Sequence, residues 1–182
     1  MRSYSAMFLC FTVACGPAVF APAVAPRVIP APFVPEDDVE FVDAMTWHHA
    51  AAIEMAAEVS ARGEDEALIA LSGEISRQQQ DEIHAMDAVR ASLTHAPTTL
   101  VAPDPHQEDD LARIGSLTGH ALDVAFLEAM IPHHGEGLGL AHRSLPQLDS
   151  LELRDMAEDM VTIQAREIGE LQALLDALTL QD

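Results

Sequence analysis

Four long segments of the chain carry apolar residues every three or four positions, which is the spacing of one helix face. The clearest stripes lie in the second and fourth segments, and they follow identical steps. These stripes are Leu68, Leu71, Ile75, Gln79, Glu82, Met86, Val89 and Leu93, and then Leu153, Met156, Met160, Gln164, Glu167, Leu171, Leu174 and Leu178. Start and stop signals predict four helices that end near Arg62, Leu93, Leu145 and Leu178. The pattern therefore predicts an all-α protein.

The chain contains an internal repeat of 85 residues. Residues 38–93 align without a gap on residues 123–178, and 14 of the 56 aligned positions are identical. The identities cluster in two motifs. F-x-x-A-M-x-x-H-H occurs at 41–49 and at 126–134, and Q-x-x-E-I begins at Gln79 and recurs 85 residues later. Paired histidines and a second motif in the same register indicate a duplicated unit.

Each repeat predicts one helical hairpin, and two hairpins make a four-helix bundle. We place the first hairpin at residues 36–93 and the second at residues 120–180. Residues 94–119 contain three prolines and two glycines, and they are predicted to be a linker with one short helix near residues 109–114. The predicted fold class is an all-α four-helix bundle built from two duplicated hairpins.

Polar residues interrupt each stripe at its middle. Glu82 and Glu167 lie on the stripes of the second and fourth helices, and a histidine pair interrupts the first and third helices. An unpaired buried carboxylate is strongly destabilising, so these positions need a compensating reason. Three reasons stay open: a bound metal ion, an internal His–Glu network that sets helix register, or a partly solvated seam.

Methionines accompany these polar residues. Met45 and Met130 each lie three residues before a histidine pair, and Met86 shares a helix face with Glu82. Thioethers are soft ligands that favour Cu(I) over Mg, Ca or Mn. A methionine on an apolar stripe nevertheless usually fills the core. If a metal is bound, the methionines point to copper.

Composition and charge narrow the class of protein. Aromatic residues make up only 4% of the chain, which disfavours sheets. Nine Lys and Arg residues face 30 Asp and Glu residues, for a net charge of -21. Such a surface repels phosphate backbones, so nucleic acid is not an expected partner. Both cysteines, Cys10 and Cys15, lie near the N-terminus, which excludes a thiolate site or a catalytic cysteine from the rest of the chain.

The first 35 residues predict export. Residues 1–25 begin Met-Arg and continue with an apolar run too short to anchor in a bilayer, as in a signal peptide. Cleavage fits the A-x-A sequence ending at Ala25, or a lipobox-like T-V-A-C that would leave Cys15 lipidated. An uncleaved N-terminus is the third alternative. Residues 26–35 are a Pro-rich tether. The expected location is extracytoplasmic: periplasmic, secreted, or membrane-tethered through a lipid on Cys15.

The motif M-x-x-H-H, followed about 30 residues later by Q-x-x-E-I-x-x-M, resembles a bacterial family known as domain of unknown function 305. Met130-Ile131-Pro132-His133-His134 is similar to the usual sequence of that family, whereas the first repeat departs from it at Thr46 and Trp47. The resemblance covers residues 38 to 178, approximately. It implies a ferritin-like fold and export. It also implies a copper-binding role, because some members bind periplasmic copper through Met and His ligands in copper tolerance.

The resemblance also implies a set of metal ligands. In the second repeat, Leu171 occupies the position of the final methionine of the motif, and Leu140 occupies the position equivalent to Met55. Gly137 occupies a position where the family commonly has an alanine. The second repeat therefore lacks part of the set. Copper is the expected metal, with Cu(I) favoured and iron and zinc left open. The implied ligands are Met45, His48, His49, Glu82 and Met86 in the first repeat and Met130, His133, His134 and Glu167 in the second.

Three functions are open on this basis. The first is an exported protein that binds or sequesters copper in copper homeostasis. The second is a structural or interaction bundle whose polar seam sets helix register. The third is a di-iron or copper oxidoreductase, but ferritin-like di-iron sites need four glutamates and two E-x-x-H motifs. Each repeat here has one glutamate on its stripes, and no E-x-x-H motif lies on them. We predict a metal-binding protein rather than an enzyme, with an undetermined oligomeric state.

Expressed in full in a bacterium, the protein should leave the cytoplasm and lose its first residues, because the N-terminus has the layout of a signal peptide. Mass spectrometry of the mature protein checks this. An intact Met1–Pro35 segment would count against export, and a diacylglycerol group on Cys15 would favour the tethered form over free secretion.

Overall fold

The computed structural model describes residues 33–96 and 105–180, which lie in one compact unit. The predicted signal peptide, Cys15 and most of the predicted tether lie outside these residues. No helix in the described ranges is long and apolar enough to cross a membrane, and the same ranges contain no strand. The helices are α1 (Asp38–Arg62), α2 (Glu66–Leu93), α3 (Pro105–Gly115), α4 (Gly119–Ser144) and α5 (Leu151–Thr179).

The four long helices form two antiparallel hairpins. α1 packs along α2, α4 packs along α5, and the two hairpins meet mainly through α1 and α4. This confirms the predicted all-α bundle of two duplicated hairpins. The helix starts follow local chemistry: Asp37, Asp65 and Ser150 are N-caps whose side-chain oxygens accept hydrogen bonds from backbone N–H groups of the first turns.

The apolar core is divided into two clusters. The Phe41 cluster contains Phe41, Val42, Met45, Met86, Val89, Ala141, Leu148, Leu153, Ala157 and Met160. The Phe126 cluster contains Phe126, Met130, Ala52, Met55, Val59, Leu68, Ile75, Leu171 and seven other residues. Each long helix passes from one cluster to the other through its polar residues. Those residues form the central polar layer: His48, His49, Gln79, Glu82, His133, His134, Gln164 and Glu167.

Two repeat-related aspartates join the hairpins. The Asp123 carboxylate accepts hydrogen bonds from the backbone N–H groups of Glu64 (3.0 Å) and Asp65 (2.8 Å), at the turn between α1 and α2. The Asp38 carboxylate does the same for Asp149 (2.9 Å) and Ser150 (3.0 Å), at the turn before α5. Each hairpin therefore supplies an aspartate that closes the turn of the other. Because both aspartates are buried, these bonds are poorly replaced by water.

Gly63 allows one of these contacts. A Cβ atom at position 63 would lie 2.8 Å from Asp123 Oδ1 and 2.7 Å from the Val59 carbonyl oxygen. Any larger residue would push the carboxylate away from the turn. The glycine that marks the end of α1 in the sequence is thus also needed for the contact between hairpins.

The short helix α3 is fixed against both hairpins. Ile114 is fully buried in the Phe126 cluster. Arg62 of α1 donates a hydrogen bond to the Leu117 carbonyl at 2.6 Å, and Arg113 of α3 donates one to the Ala125 carbonyl of α4 at 3.0 Å. These contacts hold the linker across α1 and α4, where Gln107 reaches the central polar layer.

Replacing Asp123 or Asp38 by alanine should destabilise the protein by about 2 kcal/mol each, because two buried backbone N–H groups lose their acceptor. The two sites lie at different turns, so the effects should add in the double variant. Urea unfolding measures this. Asp159→Asn, at an exposed position of α5, is the control and should stay within about 0.5 kcal/mol of the parent. A double variant as stable as the parent would contradict the assigned contacts.

Candidate metal centre

Four histidines meet at the middle of the bundle. The rings of His48 and His133 stack with their centroids 3.8 Å apart and their planes at 3°. His49 and His134 flank this stack, with centroids 6.3 Å and 6.5 Å from their neighbours and the same 50° tilt. All four side chains are buried. The sequence repeat therefore appears in space as a nearly symmetric cluster between α1 and α4.

Each outer histidine is paired with the glutamate of its own hairpin. His49 Nε2 lies 2.6 Å from Glu82 Oε2, and His134 Nε2 lies 2.9 Å from Glu167 Oε2. The second pair is the more deeply buried, because the Glu167 side chain is 4% exposed and that of Glu82 is 17% exposed. Gln78 donates a further bond to Glu82 at 3.2 Å. Both glutamates predicted to lie on the seam thus have partners.

These bonds determine which ring nitrogens carry a proton. A carboxylate or a carbonyl only accepts hydrogen bonds, so Nε2 donates in His49 and His134. It also donates in His133, whose Nε2 lies 3.2 Å from the His48 carbonyl oxygen. In a neutral imidazole the other nitrogen, Nδ1, then carries a lone pair. Nδ1 of His49 and of His134 is buried and has no hydrogen-bond partner among the described residues.

His48 differs from the other three histidines. Its Nδ1 lies 3.4 Å from the Gln107 amide nitrogen, and its Nε2 is buried without a hydrogen-bond partner in the described ranges. Gln107 belongs to α3, in the segment that the sequence identifies only as a linker. It has no counterpart in the second repeat, so the repeat could not reveal it. The apolar face of α3, with Leu111 and Ile114, was the available signal that this helix packs inward.

The two central histidines are neutral at physiological pH. Burial lowers the pKa of His48 well below its ordinary value, and the neighbouring His133 and His49 lower it further. Burial likewise lowers the pKa of His133 to about 3, assisted by His134 and opposed by the bond to the His48 backbone. A neutral imidazole is the form that binds metal ions. The stack of His48 on His133 therefore carries no charge of its own.

The predicted methionine ligands lie in the apolar clusters on either side of the layer. Met45 and Met86 are fully buried in the Phe41 cluster, and Met130 is fully buried in the Phe126 cluster. The structure thus brings the histidines and glutamates together, whereas it distributes the three methionines above and below them. Their role as ligands stays a prediction.

The donor atoms fit a metal ion in chemical type. The buried Nδ1 atoms of His49 and His134 are unpaired imidazole nitrogens whose opposite N–H groups are held by carboxylates, which is the usual arrangement around metal-ligating histidines. No group of three or more His, Cys, Asp or Glu side chains within the described residues is already arranged around a common metal position. An ion would therefore draw the ligands together.

Comparison with known proteins agrees with the fold. The family model described as Domain of unknown function (DUF305) matches residues 38–175. No curated protein matches the chain. The structure is similar to CopM in its Cu(I)-bound form, with 25% identity, a TM-score of 0.69, and coverage of 78% of this chain and 96% of that chain. Other CopM structures are Cu(II)-bound or Ag-bound.

Two further structures carry the family description. A DUF305 fragment from Deinococcus radiodurans is 24% identical, with a TM-score of 0.71 and coverage of 81% of this chain and 99% of that chain. A DUF305 protein from Streptomyces coelicolor, whose assignment as secreted is itself a prediction, is 25% identical, with a TM-score of 0.71 and coverage of 78% and 92%. Both likenesses extend over nearly the whole of those chains.

Acidification should destabilise the metal-free protein from about pH 6.5 downwards. In the unfolded chain His48 and His133 take up protons near their ordinary pKa of about 6.5, whereas in the folded protein His133 stays neutral until about pH 3. The unfolded state therefore gains protons first. The free energy of unfolding should fall by about 1.4 kcal/mol per pH unit for each such ring.

Urea unfolding in the presence of a chelator, between about pH 6.5 and pH 5, measures this slope above the range in which carboxylates titrate. His133→Phe keeps an aromatic ring against His48. It should reduce the slope of unfolding free energy against pH by the contribution of one ring, about 1.4 kcal/mol per pH unit. An identical slope in the parent and in this variant would contradict the burial of a neutral His133.

Proposed function

We propose that this chain, which belongs to the DUF305 family, is an exported protein that binds copper through its central polar layer. One observation carries the proposal. His49 and His134 each have one ring nitrogen held by a glutamate and the other buried without a partner. Buried polar atoms in native proteins are almost always paired, and bound metal would give each of these two nitrogens a partner.

The glutamates have a positioning role in this proposal. Glu82 and Glu167 accept the Nε2 protons, so they hold the rings in orientation and raise the basicity of Nδ1. They also supply negative charge that offsets the charge of a bound cation. The sequence suggested them as ligands, and their bonds to histidine favour this indirect role. The four histidines, His48, His49, His133 and His134, are the proposed ligands.

The methionines would add soft thioether ligands to these histidines, and such ligands favour Cu(I). Imidazole binds copper in either oxidation state, whereas thioethers select Cu(I). Met45 and Met130 lie one helical turn before His48 and His133, on the same stripes. We propose them, with Met86, as further ligands that would turn towards the layer when Cu(I) binds. CopM, which is similar in fold, is known in Cu(I)-bound and Ag-bound forms.

Export fits the same function. The proposal places the protein outside the cytoplasm, on the basis of the signal-like residues 1–25 and of the secreted assignment of the Streptomyces coelicolor relative. The net charge of -21 suits a protein that meets cations. The proposed role is to capture and buffer copper, with a metal ion as the partner, and no catalysis is proposed. The carboxylates bonded to the histidines are Glu82 and Glu167, half the number of a ferritin-like di-iron site.

A structural role for the layer is the second candidate, and one observation favours it. Both glutamates already have histidine partners in the absence of metal, and no three of the metal-binding side chains in the described ranges share a metal position. In that case the layer would set the register of the helices and nothing else. The copper affinity of the parent protein separates the two candidates.

The double variant His49→Ala/His134→Ala should weaken copper binding at least tenfold, because it removes the two unpaired Nδ1 atoms. Glu82→Gln/Glu167→Gln keeps the rings and an acceptor oxygen for each Nε2 proton, so copper binding should weaken less. Competition titrations with Cu(I), under reducing conditions, and with Cu(II) measure both effects. The control His84→Ala/His95→Ala removes two exposed imidazoles outside the layer and should leave the affinity unchanged.

The free energy of unfolding of the histidine variants distinguishes the structural role of the layer from copper binding. Loss of His134 removes the hydrogen-bond partner of the buried Glu167 and leaves it the ion pair with the exposed Arg166 at 3.7 Å. This should cost roughly 3–5 kcal/mol if the pair with His134 serves stability alone. Loss of His49 should cost less, since Glu82 is more exposed and keeps its bond to Gln78. A parent that binds no copper, together with these losses of stability on urea unfolding, would reject the copper proposal and support the structural one.

A further inference from the structure

Two unpaired polar groups converge on Gly137, at the edge of the central polar layer. A Cβ atom at this position would lie 2.6 Å from His48 Nε2 and 2.6 Å from Gln164 Oε1. Both atoms therefore lie close to the α4 backbone at position 137. Since each is 2.6 Å from the same point, they are at most twice 2.6 Å apart. Only glycine leaves room for this approach. An alanine at position 137 would therefore push the His48 ring or the Gln164 amide away from α4.

Neither group is satisfied by the protein. His48 Nε2 and both amide atoms of Gln164 are buried without hydrogen-bond partners among the described residues. The His48 side chain and Gln164 are 6% and 2% exposed, respectively. Buried polar atoms in native proteins are almost always paired. Three unpaired atoms around one point therefore indicate a ligand that is polar and small.

The equivalent position in the other repeat is built differently. Ala52 carries the Cβ that Gly137 lacks, and it is fully buried in the Phe126 cluster. His133, the counterpart of His48, uses its Nε2 for the bond to the His48 carbonyl. Gln79 Oε1 lacks a partner among the described residues, as Gln164 Oε1 does, so the two repeats differ in the histidine and in the space beside it. Within the described residues, only the position over Gly137 combines an unpaired imidazole nitrogen, an unpaired amide oxygen and the room left by a glycine.

We infer that His48 Nε2 and Gln164 Oε1, brought together over Gly137, bind a divalent copper ion, Cu(II). The inference rests on the proposed function and adds a ligand and an oxidation state to it. An imidazole nitrogen with an amide oxygen is a donor pair that suits a borderline divalent ion, whereas soft Cu(I) and Ag(I) gain little from an amide oxygen. Ligand distances near 2.1 Å allow two donors of one ion to lie about 4 Å apart, so small side-chain movements would suffice.

Gln107 completes the site as a positioning residue. Nε2 of His48 binds a metal only when the ring proton is on Nδ1, and that proton then needs an acceptor. The Gln107 amide lies 3.4 Å from Nδ1, and its oxygen has no partner within the described ranges. Rotation of this amide by half a turn brings the oxygen to Nδ1. The linker helix α3 therefore supplies the group that selects the metal-binding tautomer of His48.

Gln164→Leu tests the ligand. It should weaken Cu(II) binding by roughly 10- to 100-fold and leave the affinity for Ag(I) within about twofold of the parent, since Ag(I) does not use the oxygen. The urea midpoint of the metal-free protein should stay equal or rise, because the variant removes two unpaired buried atoms. Gln172→Leu, at an exposed position of the same helix, is the control and should retain Cu(II) affinity.

Gly137→Ala tests the space, with Gly135→Ala as its control. Both add a methyl group to α4, but a Cβ at position 135 meets nothing within 4 Å. Gly137→Ala should weaken Cu(II) binding as Gln164→Leu does, and Gly135→Ala should not. Where Gly137→Ala fails to fold, Gln164→Leu still decides the question.

Four outcomes count against the inference. Cu(II) affinity unchanged in Gln164→Leu overturns it and leaves the proposed function standing. A parent that binds Ag(I) but not Cu(II) does the same. A lowered urea midpoint in Gln164→Leu with unchanged Cu(II) affinity assigns the amide to a bridging water instead. A parent that binds neither ion overturns the proposed function, and this inference with it.

Discussion

The bundle depends on the burial of a polar layer in the middle of an apolar core. Histidine and glutamate side chains buried at this depth are stable only where each finds a partner. His49 reaches Glu82 and His134 reaches Glu167 across the two helices of each hairpin. A slip by one residue along either hairpin would break these pairs, so the layer sets the register in which the two apolar clusters form.

The layer also determines how the hairpins meet. The stack of His48 on His133 and the bond from His133 to the His48 carbonyl are the polar contacts between α1 and α4 at the centre. At the ends, Asp38 and Asp123 each close the turn of the opposite hairpin. The duplicated sequence thus produces repeat-related polar contacts at both ends of the bundle. At the centre the contact is one-sided, because His133 donates to the His48 backbone whereas His48 Nε2 has no partner among the described residues.

The two repeats differ at a few residues around His48, where the proposed Cu(II) site lies. α3 crosses one side of the bundle and brings Gln107 to His48. Gly137 is the repeat equivalent of Ala52, and its lack of a side chain lets His48 and Gln164 approach the α4 backbone. The outer histidines satisfy their glutamates and keep one unpaired nitrogen each. Pairs that stabilise the metal-free fold therefore also orient the atoms that a metal would use, which is how one layer can serve both purposes.

Periodicity and duplication in the sequence were sufficient for the all-α fold, the four long helices and the position of the polar layer, because burial repeats every three to four residues along a helix. The layer's residues were named from the same stripes. The chain alone could not assign partners across space. It did not predict that Asp38 and Asp123 close opposite turns, that Gln107 enters from the linker, or that Met45 and Met130 lie in different apolar clusters. It also could not decide which nitrogen of each imidazole keeps a lone pair, because that follows from the acceptor nearby. Such choices depend on distances between helices, and only the tertiary structure sets those distances.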